Sequence, residues 1–211
     1  MILEYDELSF LFIGGHFAIA YLDLTRSEEH ISIGFYLMMI LLSIAFFYDL
    51  FKDNFKLFRK HFKAYIQNLI GLVGKFYLIY FVIAMVTMLI TKVDTSVNQN
   101  NVEALPLWFS LPLAIIYAPI VEETLFRGCI RRFIKNDKIF IIASVLSFGL
   151  LHTIFTEVNF YNAFVLGIPY ITIGGFLAYL YTKTNNICTN MAFHAFHNTM
   201  AMIITILIKG I

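Results

Sequence analysis

Along the chain, apolar residues collect in long runs separated by short polar segments. The runs cover roughly 8–22, 32–50, 66–91, 105–126, 138–155, 162–182 and 187–208. A bilayer's hydrocarbon core is about 30 Å thick and takes about 20 apolar residues of helix to cross. The pattern therefore predicts an all-α, polytopic transmembrane bundle of about seven spans, with six to eight compatible with it. The first run is short and ends at Asp23; the third is long enough to tilt and holds one lysine, Lys75. The fourth is interrupted by Pro106, Pro112 and Pro119, and the sixth carries Gly167, Gly174 and Gly175. No internal repeat or low-complexity tract is evident.

Composition agrees. Of 211 residues, 60% are hydrophobic and 14% are charged, against about 45–50% and about 25% in an ordinary soluble domain. So few charges do not cover the surface of a water-soluble globule of this size, and the mean hydropathy is +0.78. A net charge of +1 gives no argument for nucleic acid as a partner; membrane lipids are the expected surroundings. The two cysteines, Cys129 and Cys188, lie in or beside apolar runs and specify no disulfide scaffold.

The basic residues set an expected topology. Lys52, Lys56, Arg59, Lys60 and Lys63 lie between the second and third runs, and Arg127, Arg131, Arg132, Lys135 and Lys138 at and after the end of the fourth. The positive-inside rule puts both clusters in the cytoplasm, which seven spans satisfy with the N-terminus inside and the C-terminus outside. The segment 51–64 spaces Phe51, Phe55, Phe58 and Phe62 about one helical turn apart among basic residues. It reads equally as an interfacial helix on anionic headgroups or as a cytoplasmic loop. The first residues, MILEYDELSF, are acidic and do not resemble a cleavable signal peptide. A multi-pass protein of the bacterial plasma membrane is the expectation.

Within these runs a few charges stand where charge is costly. The fourth run ends APIVEETLFRG. Left unpaired at the bilayer centre, Glu122, Glu123 and Arg127 would together cost on the order of 8–10 kcal/mol on the insertion scale. Glu123 and Arg127 are four residues apart, so they share a helix face and can pair. Glu122 is turned about 100° away. One glutamate is thus expected to be structural and the other to be available for reaction. His152 comes late in the fifth run, one turn after Phe148; His194 and Asn198 share a face in the seventh, with His197 offset by about 60°. Ser147 lies in no nucleophile elbow and reads as a packing residue.

A carboxylate beside an imidazole can hold and deprotonate a water, and a second imidazole with a carboxamide can donate hydrogen bonds to a developing oxyanion. That set suits amide hydrolysis without a covalent intermediate. The same residues leave zinc open, with Glu122, His152 and His194 as ligands, although no HExxH motif is present. A non-catalytic immunity or scaffold protein, or a transporter with a proton relay, would use the same pocket differently.

The residues Glu122-Glu123-x-x-x-Arg127, Phe148-x-x-x-His152 and His194-x-x-x-Asn198 resemble the three motifs of the CPBP family, the CAAX-protease and bacteriocin-processing intramembrane endopeptidases also called Abi. The first motif is the specific one, since the chain has two Glu-Glu doublets and five arginines; the other two are short enough to recur by chance. Ala118-Pro119 and Gly128 also look like the family, whereas Lys183-Thr184-Asn185 stands where Arg-Thr-Gly is expected. The resemblance covers roughly 105–205. It implies N-terminal transmembrane helices without a motif at 1–104 and a catalytic core at 105–211. It further implies Glu122 as general base with His152 as its partner, His194 and Asn198 as the oxyanion site, and Glu123, Arg127 and Phe148 as supports. By resemblance the mechanism is glutamic and metal-free, with no cofactor favoured and zinc as the alternative. The implied substrate is a membrane-associated or lipidated, CAAX-like protein or peptide, or in bacterial relatives a bacteriocin or signal peptide. No pattern specifies an oligomeric state.

Overall fold

The structure, a computed structural model, describes residues 9, 12–15, 33–91, 105–153 and 160–209. Among them every regular element is helical, so the chain is an all-α bundle. Six rods follow in order: α1 (Ile33–Phe46), α2 (Tyr48–Thr91), α3 (Leu107–Phe133), α4 (Asp137–Leu151), α5 (Phe160–Thr184) and α6 (Ile187–Lys209). Three stretches, Leu69–Ile90 in α2, Leu107–Phe133 in α3 and Ala163–Thr184 in α5, are long and apolar enough to cross a membrane. On α2, Leu78 and Leu89 are 71% and 67% exposed; a face that apolar is suited to lipid rather than water. Most of the first expected span, and the segments 23–31 and 92–104 between expected spans, lie outside the described residues.

The segment 51–64 belongs to a helix. It forms the first part of α2, which bends at His61 (φ −112, ψ 17) before entering the membrane-crossing part. Lys52, Lys56, Arg59 and Lys60 face outward on it, while Asn54 faces inward and is buried. The Asn54 carbonyl accepts from Asn186 Nδ2 at 2.8 Å, and its Oδ1 accepts from the Ile187 N–H at 2.8 Å. The basic segment is thereby fastened to the start of α6. Between α5 and α6 the chain reverses at Asn185, whose φ is 45. Asparagine is among the few residues other than glycine that enter the left-handed region readily, so the departure Lys183-Thr184-Asn185 keeps the backbone turn. Asn186 then caps α6, its Oδ1 accepting from the Thr189 N–H at 3.0 Å.

The prolines of the fourth run do not break it. Pro106 precedes the first turn of α3, and the helix continues to Phe133 rather than stopping near 126. Two stretches, Leu113–Tyr117 and Thr124–Cys129, widen into π geometry. The first has a clear cause. Pro119 has no N–H to donate, and in the widened register the Ala118 N–H reaches Leu113 O. Ala114 O, next in that register, would need the hydrogen that Pro119 lacks. Asn198 Nδ2 donates to it instead, at 2.8 Å. In lipid a backbone carbonyl must find such a partner within the protein.

The helical part of the fifth run is shorter than expected: α4 ends at Leu151 and His152 sits at its C-cap. The helices α4 and α5 approach closely through small residues. A Cβ on Gly149 would lie 2.2 Å from Ile171 Cγ1 and 3.1 Å from Ile171 N, and one on Gly174 would lie 3.0 Å from Phe148 Cβ. One core joins both halves of the chain, since Phe47 and Phe76 pack in the same cluster as Val121, Leu125, Phe148 and Phe193. Gly149→Ala is expected to destabilise the protein by about 1–3 kcal/mol through overpacking, read as a lowered melting temperature in detergent; an unchanged melting temperature would show that the α4–α5 contact relaxes freely.

Candidate active site

Glu123 and Arg127 are both fully buried, and Arg127 Nη1 donates to Glu123 Oε1 at 3.0 Å. A buried ion pair is tolerable only where the remaining polar atoms are also satisfied, and most are. Arg127 Nη2 donates to Gly174 O at 2.8 Å, and the guanidinium lies over the Phe148 ring at 5.1 Å. Glu123 Oε1 also receives His194 Nδ1 at 2.8 Å, and its Oε2 receives Asn190 Nδ2 at 3.2 Å. Asn190 Nδ2 further donates to Leu177 O at 2.7 Å. One carboxylate thus ties α3 to α6 while its arginine ties α3 to α5.

Glu122, turned to the next face, meets a different pair of side chains. Its Oε2 lies 3.8 Å from His152 Nε2 and 3.9 Å from His194 Nε2. The side chains of Glu122 and His152 are each 17% exposed and His194 is 4% exposed, so the group is recessed without being sealed. The His152 ring is flanked by Phe148 at 4.5 Å and Tyr170 at 4.6 Å between ring centroids, the latter stacked at 18°.

The hydrogen bonds on the far sides of the two rings decide what faces Glu122. His152 Nδ1 contacts Phe148 O at 2.7 Å. A carbonyl oxygen only accepts, so Nδ1 carries the hydrogen. His194 Nδ1 faces the ion-paired carboxylate of Glu123 and donates for the same reason. In its neutral form each imidazole therefore turns an unprotonated Nε2 toward Glu122. Glu122 Oε2 is itself a buried acceptor with no hydrogen-bond partner. With both rings neutral, three acceptor atoms converge on one gap, and a donor or a cation placed between them makes the arrangement favourable.

The other expected residues fall around this gap. Phe148 connects the two sets, with its ring against Arg127, His152 and, at 5.9 Å, His194. Asn198 lies one turn beyond His194, with one amide hydrogen committed to Ala114 O. His197 is apart, stacked on Tyr77 at 5.9 Å and edge-on to Tyr80 at 5.1 Å, which is a packing role. Ser147 Oγ donates back to Ala143 O at 2.7 Å, also a packing role. Sequence reasoning missed Asn190 and Tyr170. Asn190 had a signal: Asn190, His194 and Asn198 are spaced i, i+4, i+8, one polar stripe on an otherwise apolar helix.

Residues 104–200 match the family of type II CAAX prenyl endopeptidases described as Rce1-like. The C-terminal half of the chain is similar to this family. It is a family of integral membrane endopeptidases, and the match supports a membrane endopeptidase at the level of the family. The UPF0177 protein YbdI of Lactococcus lactis is 27% identical over 182 residues, covering 82% of this chain and 94% of its own. The UPF0177 protein YaiH of the same organism is 32% identical over 96 residues, 46% of this chain and 37% of its own. The UPF0177 protein YxdF, also from it, is 30% identical over 116 residues, 54% of this chain and 60% of its own. No solved structure matches. These bacterial relatives and the apolar helices together place the chain in a bacterial membrane.

The two adjacent glutamates should respond differently to removal. Glu123→Ala strands a buried guanidinium and is expected to cost about 3–5 kcal/mol, whereas Glu122→Ala removes a carboxylate that no hydrogen bond holds and should leave the melting temperature within a few degrees of wild type. Thermal denaturation of both variants in one detergent checks this; equal losses would refute the division of roles.

Proposed function

We propose that the chain hydrolyses a peptide bond of a membrane-associated or lipidated protein or peptide by a glutamic, water-activating mechanism. The observation that carries this reading is the acceptor-lined gap between Glu122 Oε2, His152 Nε2 and His194 Nε2. Separations of 3.8 and 3.9 Å are too long for direct hydrogen bonds and suit a water that contacts Glu122 and an imidazole at about 2.8 Å each. Glu122 takes a proton from that water as it attacks the scissile carbonyl, with His152 holding the water in line. The new oxyanion is met by His194, which enters the step as an imidazolium already protonated from solvent, donates from Nε2 and keeps its Nδ1–H on Glu123, that proton staying on the ring throughout. Asn198 has a second amide hydrogen to give. Glu122 then returns the proton to the departing amine. Glu123, Arg127, Asn190, Phe148 and Tyr170 fix the orientation of the two rings.

A zinc-dependent reaction is the second reading, and it too has an observation in its favour. Glu122, His152 and His194 are a donor set that zinc accepts, and each Nδ1 already makes the outer contact typical of a metal-bound histidine. Zinc, when bound, would polarise the carbonyl and the water. The spacing favours water, because tetrahedral zinc with bonds of about 2.0–2.1 Å holds its ligand atoms only about 3.3 Å apart. No group of three His, Cys, Asp or Glu among the described residues is spaced as a metal site.

The test is cleavage of a lipidated CAAX-like peptide and of a membrane-anchored reporter by purified protein in liposomes. Glu122→Gln and His152→Ala should each lower the rate by at least about 10²–10⁴-fold without loss of folding, and wild-type activity should survive exhaustive chelation. Normal cleavage by both variants would sink the hydrolytic reading, and loss of activity on chelation with recovery on added zinc would replace water activation by the metal.

A further inference from the structure

Away from the acceptor-lined gap, α2 and α5 enclose a second feature. A cavity of about 360 Å³ lies between them. Its α2 wall is Tyr65, Leu69 and Leu72, and its α5 wall is Tyr179, Leu180, Lys183 and Thr184. The two stretches able to cross the membrane here are Leu69–Ile90 and Ala163–Thr184. Leu69 begins one and Thr184 ends the other, so the cavity straddles the boundary between hydrocarbon and headgroups. Leu69, Leu72 and Leu180 lie on the hydrocarbon side. Tyr65, Tyr179 and Lys183 belong to the residue types that sit at that boundary.

The charge is distinctive. Lys183 is exposed, and among the described residues no carboxylate pairs with it. Its Nζ is instead held over the Tyr179 ring, 5.3 Å from the centroid. The approach is basic as well. Just before Tyr65, α2 presents Lys63 outward, and beyond the bend at His61 it presents Lys52, Lys56, Arg59 and Lys60. An occupant that matches both walls needs an apolar chain and an anionic head, and at this depth the molecule of that description is a phospholipid.

We infer that this cavity is a binding site for one anionic phospholipid of the basic-side leaflet, its phosphate on Lys183 and its acyl chain along Leu69, Leu72 and Leu180. The basic face of α2 raises the local concentration of anionic lipid, and Lys183 selects the one molecule that is retained. The site is separate from the residues assigned to hydrolysis, so it stands or falls independently of that reading.

The experiment is native mass spectrometry of the full-length protein released from nanodiscs of equal parts phosphatidylglycerol and phosphatidylcholine. Wild type should retain one phosphatidylglycerol in preference to phosphatidylcholine. Lys183→Gln should weaken that retention by about fivefold, the effect of one interfacial cation, and Lys183→Arg should restore it. A variant with Lys52, Lys56, Arg59 and Lys60 changed to Gln should carry fewer loosely bound lipids yet keep the retained one. Equal retention by Lys183→Gln and wild type would overturn the proposal, as would loss of the retained lipid in the α2 variant alone. Thermal protection of the detergent-solubilised protein by inorganic phosphate to the same extent as by phosphatidylglycerol would overturn the assignment to a lipid.

Discussion

Arg127 carries a guanidinium into a fully buried position inside a membrane bundle, and the surrounding structure is arranged to answer that charge. Glu123 neutralises it, the Gly174 carbonyl takes a second donor, and the Phe148 ring covers its face. Each of these partners comes from a particular place: α3 itself, the glycine-lined approach of α5, and the last turn before His152 on α4. The ion pair costs too much to leave incomplete, so it fixes the relative positions of three helices. The second set of contacts on Glu123, from His194 and Asn190, brings in α6 as the fourth. The polar interior works as a lock on the bundle in surroundings where apolar packing alone gives helices little reason to choose one partner over another.

The same lock prepares the reactive side. Because Glu123 is consumed by the arginine and the histidine, its neighbour is left on the adjacent face with an oxygen that nothing satisfies. Because Glu123 and the Phe148 carbonyl accept from the two Nδ1 atoms, both imidazoles present their Nε2 atoms to that oxygen. A structural ion pair, two Nδ1 donors and an unsatisfied carboxylate are therefore one arrangement, and the reactivity proposed for Glu122 rests on the stability of Glu123. Pro119 contributes at a distance. The hydrogen bond it removes leaves a carbonyl for Asn198, which draws α6 against α3 one turn beyond His194.

Much of this was readable from residue spacing. The different fates of Glu122 and Glu123 follow from helical geometry, since one residue of offset is a large rotation while four residues return to the same face. The common orientation of His194 and Asn198 toward α3 follows likewise. What was not readable depends on backbone atoms or on contacts between distant segments. The Gly174 carbonyl has no side chain to announce it. Tyr170 is one of 12 tyrosines and is marked only by stacking on His152. The widened turns of α3 arise from a missing N–H whose effect on register depends on the partner helix. In the segment 51–64, one-turn spacing of phenylalanines fits a helix, but dense charge fits a loop as well, and Asn54 decides the matter by bonding to Asn186 and Ile187 more than 130 residues away.

The gap between Glu122, His152 and His194 is the centre of the account, and its contents can be observed directly. An experimental structure of the protein in lipid, at a resolution that shows ordered water, would establish what lies between Glu122 Oε2 and the two Nε2 atoms. The account predicts a single water within hydrogen-bond distance of Glu122 and His152, with His194 Nδ1 on Glu123. Side chains that diverge, a Glu122 carboxylate paired with Arg127 in place of Glu123, or a metal ion bonded to all three would contradict it.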